Sequence, residues 1–214
     1  MNTCYIITAY INGKISDFIN KEEKPFILCA DGGYRFAKQE NIIPNLIIGD
    51  FDSFRENISS EIQTIHYPSE KDDTDTMLCV KYAVEKEFDK ICIIGGMGGR
   101  LDHTLSNLQS MAWAINFWKE HELKAKKISM CDNQNHIMLI MNESIKLSGQ
   151  PGEKISLISY SEKSINVTTK NLKWELTGAL LTNSFPLGIS NEFLTEECEI
   201  SVDSGQLLIL RSKD

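Results

Sequence analysis

Ile91–His103 reads ICIIGGMGGRLDH: four apolar residues, four glycines within five positions, an arginine, and then the opening of a helical pattern. A short apolar run bounded by glycine suits a strand buried on both faces. Over Asp102–His121 the apolar residues Leu105, Leu108, Ala112 and Ile115 recur at helical spacing, as an amphipathic helix requires. Strand, tight turn and helix form the unit from which mostly parallel sheets are built. The unit recurs upstream. Cys4–Ala9 (CYIITA), Phe26–Ala30 (FILCA) and Leu46–Ile48 are further apolar runs, and Thr76–Phe88 carries Met77, Val80, Val84 and Phe88 at helical spacing. An α/β domain with helices on the faces of its sheet is therefore expected over residues 1–126.

The pattern changes after Lys126. Short alternating segments follow at Ile155–Ile158, Ile165–Thr169, Leu172–Leu176, Ala179–Thr182, Glu199–Val202 and Leu207–Leu210. Turn signals separate them: Gln150–Pro151–Gly152, Pro186–Leu187–Gly188 and Asp203–Ser204–Gly205. Short strands at this spacing predict an all-β sandwich over residues 127–214. The basic residues Lys124, Lys126 and Lys127 near the join read as a solvated helix end.

Composition narrows the function classes. The 214 residues are 42% hydrophobic and carry a net charge of -8, which argues against nucleic acid as the main partner, since that partner selects a basic face. No apolar run approaches the roughly 20 residues of a membrane span, and the first ten residues read as a strand, not a signal peptide. The six cysteines (4, 29, 79, 92, 131, 198) are scattered without a C-x-x-C pair, as expected of buried, reduced thiols in a cytoplasmic protein. The four histidines show no metal-ligand spacing.

Chemistry concentrates where strands end. Ile47–Ser53 (IIGDFDS) runs from an apolar strand into Asp50 and Asp52. Two carboxylates so close repel unless a cation joins them, and Mg²⁺ with phosphate oxygens is the common solution; an ordinary Asp-rich turn is the structural alternative. Ser69–Thr76 (SEKDDTDT) places Asp72, Asp73 and Asp75 beside Lys71 at a helix start. Capping explains one such residue, including Thr74, but not three acids. In Gly95–His103 the glycines permit close backbone approach to a ligand, helix-start N–H groups suit phosphate, and Arg100 can add a bidentate contact. The segment is neither a P-loop nor G-x-G-x-x-G, and a tight strand-to-helix turn is its alternative reading. Asp31–Gly32–Gly33 follows Phe26–Ala30 in the same way. Parallel strands would bring these ends to one edge of the sheet.

In chain order, ADGG (Ala30–Gly33), GDFDS (Gly49–Ser53), KDDTD (Lys71–Asp75), GGMGGRLDH (Gly95–His103), NLKWEL (Asn171–Leu176) and LGISNEF (Leu187–Phe193) resemble the thiamine pyrophosphokinase family across nearly the whole chain. The resemblance implies Mg²⁺-dependent transfer of diphosphate from ATP to the hydroxyl of thiamine. It implies Asp50, Asp52 and Asp75 as metal ligands and, with Arg100, as the catalytic set. ATP contacts would come from Asp31, Gly32, Lys71, Asp72, Thr74, Gly98, Gly99, Arg100 and Asp102; thiamine contacts from Ser190, Asn191 and Asp102. Phe193 reads equally as a stacking residue or a core aromatic. The resemblance further implies a homodimer with active sites at the subunit interface. The first loop, Ala9–Gly13, departs from the family's Gly- and Pro-bearing pattern and receives no site residue. A Mg²⁺-dependent nucleotide phosphohydrolase and a non-catalytic nucleotide- or thiamine-binding protein use the same features and stand as alternatives.

Overall fold

The computed structural model describes residues 2–20, 24–51, 58–123 and 126–213. The chain divides into two compact units, Met1–Asn133 and Gln134–Asp214.

The first unit holds six described strands and three α-helices. The strands are β1 (Thr3–Ile7), β2 (Phe26–Ala30), β3 (Leu46–Gly49), β4 (Gln63–His66), β5 (Lys90–Ile94) and β6 (Lys127–Cys131). The helices are α1 (Gly33–Gln39), α2 (Asp75–Glu85) and α3 (Leu101–Glu120). The strands lie in the order β6-β5-β1-β2-β3-β4, and every adjacent pair is parallel. The chain steps outward from β1 to β4, then returns through α2 to place β5 on the other side of β1. The winding therefore reverses between β1 and β5, the place at which open parallel sheets bind ligands.

Strand residues alternate between two buried layers. Tyr5 and Ile7 of β1, Cys29, Ile47, Cys92 and Ile94 join Tyr34 and Ala37 of α1 in one cluster. Cys4, Ile6, Leu28, Ile91 and Ile93 point the other way and are equally buried, as strands covered on both faces require. All six cysteines are buried and unpaired by disulfide.

The second domain was expected to begin at residue 127, but Lys127–Cys131 is β6 of the first unit. Its register, Lys90↔Lys127 to Ile94↔Cys131, extends the parallel sheet beside β5. An apolar run of five residues carries no mark of which sheet it will join. Of the three lysines read as a solvated helix end, Lys124 lies outside the described residues, Lys127 opens β6, and Lys126 is tied back to the first unit. Its ammonium bonds the Glu87 carbonyl at 2.6 Å and lies 3.3 Å from Asp89.

The second unit is a sandwich of antiparallel strands: β7 (Asn135–Met141), β8 (Ser144–Ser148), β9 (Lys154–Ser159), β10 (Lys163–Lys170), β11 (Ala179–Thr182), β12 (Gly188–Glu192), β13 (Glu197–Ser201) and β14 (Gln206–Ser212). One layer runs β12-β9-β14-β7 and the other β11-β10-β13-β8. Ile155, Leu157, Leu207 and Ile209 of the first layer pack with Val167, Cys198 and Ile200 of the second. The expected strand Leu172–Leu176 does not form; only Leu172 makes an isolated bridge, to Phe193.

Candidate active site

The acidic group assembles from the ends of β2 and β3 and the start of α2. Asp31 and Phe51 both adopt left-handed backbone, with φ of +40° and +59°, a region sparse for residues other than glycine. The two turns are tied by the Phe51 N–H donating to Asp31 Oδ1 at 3.1 Å. Asp50 lies between them in the chain. Thr74 caps α2 by accepting the Met77 N–H at 3.2 Å, and so fixes Asp75 at the first helical position. Asp73 is taken up by Lys81 at 2.6 Å, and Asp72 is exposed.

Lys71 bridges the group. Its ammonium lies 3.4 Å from Asp50 Oδ2 and 3.0 Å from Asp75 Oδ1. The second contact is an ion pair without directed hydrogen-bond geometry, so Asp75 Oδ1 is buried with no hydrogen-bond partner among the described residues. Burial pushes the Asp75 carboxyl upward, Lys71 opposes this, and the neighbouring Asp31 and Asp50 charges add to the rise. For Lys71, burial disfavours the ammonium, but Asp75 and Asp50 outweigh it and hold its pKa above the ordinary lysine value. Neighbouring carboxylates with an orphaned oxygen and an ammonium between them are a site suited to a hard cation. Asp52, the third expected ligand, lies outside the described residues. Among those described, no cluster of three His, Cys, Asp or Glu side chains is close enough to hold a metal.

The glycine-rich turn stands at the end of β5. Gly95 has φ of +78°, and a Cβ there would lie 2.1 Å from the Tyr10 carbonyl oxygen; only glycine fits. The turn is anchored from three sides. Gly95 N–H donates to the Cys131 carbonyl and Gly96 N–H to the Tyr10 carbonyl, both at 2.8 Å. The buried Asn107 amide of α3 donates to the Gly96 carbonyl at 2.9 Å. Beyond these anchors Gly98, Gly99 and Arg100 are exposed, and the Tyr10 ring lies along Gly98 and Gly99. Arg100 forms a two-pronged pair with Asp102, Nε–Oδ1 at 3.1 Å and Nη2–Oδ2 at 2.5 Å. This raises the pKa of Arg100 and lowers that of Asp102. Tyr10 and Asn107 were not legible beforehand. The first loop lacks glycine pattern around Tyr10, and Asn107 reads as one polar residue on a helix.

In the second unit, Ser190 and Asn191 occupy an irregular stretch of β12, where the register with β9 shifts between Gly188 and Asn191. Ser190 has φ of +59° and its N–H donates to Ser156 Oγ. The Asn191 side chain is buried and committed. Its Oδ1 accepts the Trp174 N–H at 3.0 Å, and its Nδ2 donates to the Trp174 carbonyl at 2.7 Å. At Trp174 a side chain thus takes the backbone groups a neighbouring strand would use, while the Lys173 N–H still bonds the Glu192 carbonyl at 2.9 Å. Trp174 is 54% exposed, with the Lys173 ammonium 4.6 Å from the centre of its ring. Phe193 is core, buried among the sandwich residues.

The chain thus has the organisation of a two-part enzyme: an α/β unit with acid and glycine loops on one sheet edge, followed by an all-β unit. A family model described as "Thiamin pyrophosphokinase, catalytic domain" matches residues 20–126, and one described as "Thiamin pyrophosphokinase, vitamin B1 binding domain" matches 142–207. Thiamine pyrophosphokinase of Bacillus subtilis (strain 168) is 31% identical, with both chains covered completely. A crystal structure of the Bacillus subtilis enzyme superposes with a TM-score of 0.87 at 27% identity over the whole of both chains. The Candida albicans thiamin pyrophosphokinase shares the fold, with a TM-score of 0.81 at 16% identity, covering 99% of this chain and 89% of that one. The chain belongs to the thiamine pyrophosphokinase family.

Proposed function

We propose that the chain transfers the terminal diphosphate of ATP to the hydroxyl of thiamine, releasing AMP, in a Mg²⁺-dependent reaction. The observation that carries this reading is the convergence of Asp31, Asp50, Lys71 and Asp75 at the carboxyl edge of a parallel sheet whose β5 turn presents exposed Gly98, Gly99 and Arg100. Asp50 and Asp75, with Asp52, would hold Mg²⁺, which when bound neutralises phosphate charge and stabilises charge on the leaving side.

The thiamine hydroxyl passes its proton to a nearby carboxylate, and its oxygen bonds to the β-phosphorus as the bond from that phosphorus to the oxygen bridging the α-phosphate breaks and AMP leaves. Such a step needs alignment and charge neutralisation more than covalent catalysis. The anchored glycine turn brings exposed backbone close to the triphosphate. Arg100, held in a fork by Asp102, is a guanidinium poised for phosphate oxygens. Asp31, Asp72 and Thr74 line the nucleotide side. In the second unit, Asn191 acts by fixing Trp174. The ring face already receives the Lys173 cation, and the cationic thiamine suits it equally.

The deciding experiment incubates purified protein with ATP, Mg²⁺ and thiamine and follows the products. AMP and thiamine diphosphate in equal amounts, abolished by EDTA, are expected. ADP with thiamine monophosphate would relocate the attacked phosphorus. Phosphate or pyrophosphate released without thiamine would favour hydrolysis.

We also propose a cytoplasmic homodimer in which thiamine contacts come from the second unit of the partner subunit. No described helix is long and apolar enough to cross a membrane. Five large apolar residues between 180 and 194 are 45–66% exposed, as a surface awaiting a partner would be.

A further inference from the structure

The contacts of Lys71 are those of a cation holding a place. Its side chain is 14% exposed and reaches two carboxylates on different segments, the β3 end and the α2 start. Both contacts, at 3.0 and 3.4 Å, exceed the 2.7–2.9 Å usual for charge-assisted bonds, and that to Asp75 Oδ1 is not directed. A strut would be short and directed, as Lys81 on Asp73 is at 2.6 Å. Without a positive charge between them, Asp50 and Asp75 would repel. Yet a lysine ammonium sits on a flexible four-carbon stem and can leave when a better cation arrives.

We propose that Lys71 is an exchangeable counter-ion: its ammonium fills the gap between Asp50 and Asp75 in the ligand-free chain, and a divalent cation must displace it to bind them. The inference rests on the metal-site reading above. Exchange releases the ammonium beside the same strand ends, where the anionic substrate arrives, so Lys71 serves in turn as counter-ion to carboxylate and to phosphate. Lys71 thereby acts as a positioning residue for the metal. It raises the threshold for metal loading in the absence of nucleotide and lowers it when phosphate offers the ammonium a new partner.

The test titrates Mn²⁺ into the whole, nucleotide-free protein and reads free Mn²⁺ by electron paramagnetic resonance. Lys71→Met, which keeps length and removes charge, should bind Mn²⁺ about tenfold more tightly than the parent, since a unit charge a few ångströms away opposes binding. Lys71→Arg should resemble the parent. Thermal unfolding supplies a second readout: Lys71→Met should melt lower than the parent without metal and gain more from saturating Mn²⁺. Equal or weaker Mn²⁺ binding by folded Lys71→Met, with parent binding lost in Asp50→Asn, overturns the exchange and leaves the metal site standing. Should Lys71→Met fail to fold, Lys71→Gln carries the same expectation. Parent Mn²⁺ binding indifferent to Asp50→Asn and Asp75→Asn overturns the metal-site reading and this inference with it.

Discussion

At the scale of single residues, the acids divide by what they touch. Asp73 is paired with Lys81 and Asp72 is exposed, whereas Asp50 and Asp75 share Lys71, and Asp75 senses the charge of Asp50. Asp75→Asn or Asp50→Asn should therefore lower the rate of diphosphate transfer by about two orders of magnitude or more, the scale of losing a key electrostatic group. Folding should persist, because both side chains lie at the sheet edge and not in a core cluster. Steady-state kinetics with circular dichroism checks both halves, and near-normal turnover in either variant removes it from the site. Asn191 makes a different case. Its buried amide bonds both backbone groups of Trp174, so its effect on thiamine should pass through that ring. Trp174→Ala and Asn191→Ala should each raise the KM for thiamine about tenfold, as loss of a cation–π contact of about 1–2 kcal/mol predicts, and leave the KM for ATP within twofold. Additive effects in the double variant would show that Asn191 contacts thiamine independently.

At the scale of elements, a buried apolar run is easy to read and a polar one is not. Phe26–Ala30 was expected and observed with the same bounds, and α2 and α3 begin one residue before their expected starts. Strand β4, Gln63–His66, carries no apolar run in the sequence, because QTIH at the sheet edge is largely exposed. Leu172–Leu176 alternates like a strand, but Asn191 takes the Trp174 backbone groups and only an isolated bridge at Leu172 remains. The acid cluster was legible because like charges crowded into one turn demand a cation. Tyr10 and Asn107 were not, because packing against glycine leaves no pattern in the sequence. Another side-chain-to-element contact yields a pH prediction. Glu40, closing α1, accepts the Ile15 and Ser16 N–H groups at 2.7 and 3.0 Å and so caps the 3-10 turn Ile15–Asp17. Burial tends to raise its pKa, but these bonds and Lys14 outweigh that and hold it below the ordinary glutamate value. A depressed folded pKa means the stabilisation is present above the unfolded pKa and fades as pH falls through the folded one. Glu40→Gln should lose about 1 kcal/mol at neutral pH, and the melting curves of variant and parent should converge on acidification. A constant gap across that range would assign the loss to packing.

At the scale of the whole molecule, two units of unlike construction carry unlike tasks. Parallel strands place several loops on one edge, which suits the assembly of acids and glycines for phosphate chemistry. An antiparallel sandwich offers irregular, side-chain-pinned strands, which suit the presentation of a ring such as Trp174. Family models match each unit separately, over 20–126 and 142–207. The second unit also carries an apolar surface its own core does not use: Leu180, Phe185, Leu187, Ile189 and Leu194 are exposed, Phe185 by 66%. Water contact at so many large apolar side chains in one stretch is costly at roughly 25 cal/mol per Å², and association with a second copy relieves it. Sedimentation should therefore give twice the mass of 24.2 kDa. Replacing Phe185 and Leu187 together by Asp should halve it. If thiamine contacts come from the partner subunit, diphosphate transfer should fall in proportion to the dimer lost, and concentrating the variant should restore both together. A monomeric parent at working concentration, fully active, would place every thiamine contact within one chain and leave the exposed apolar stretch to some other partner.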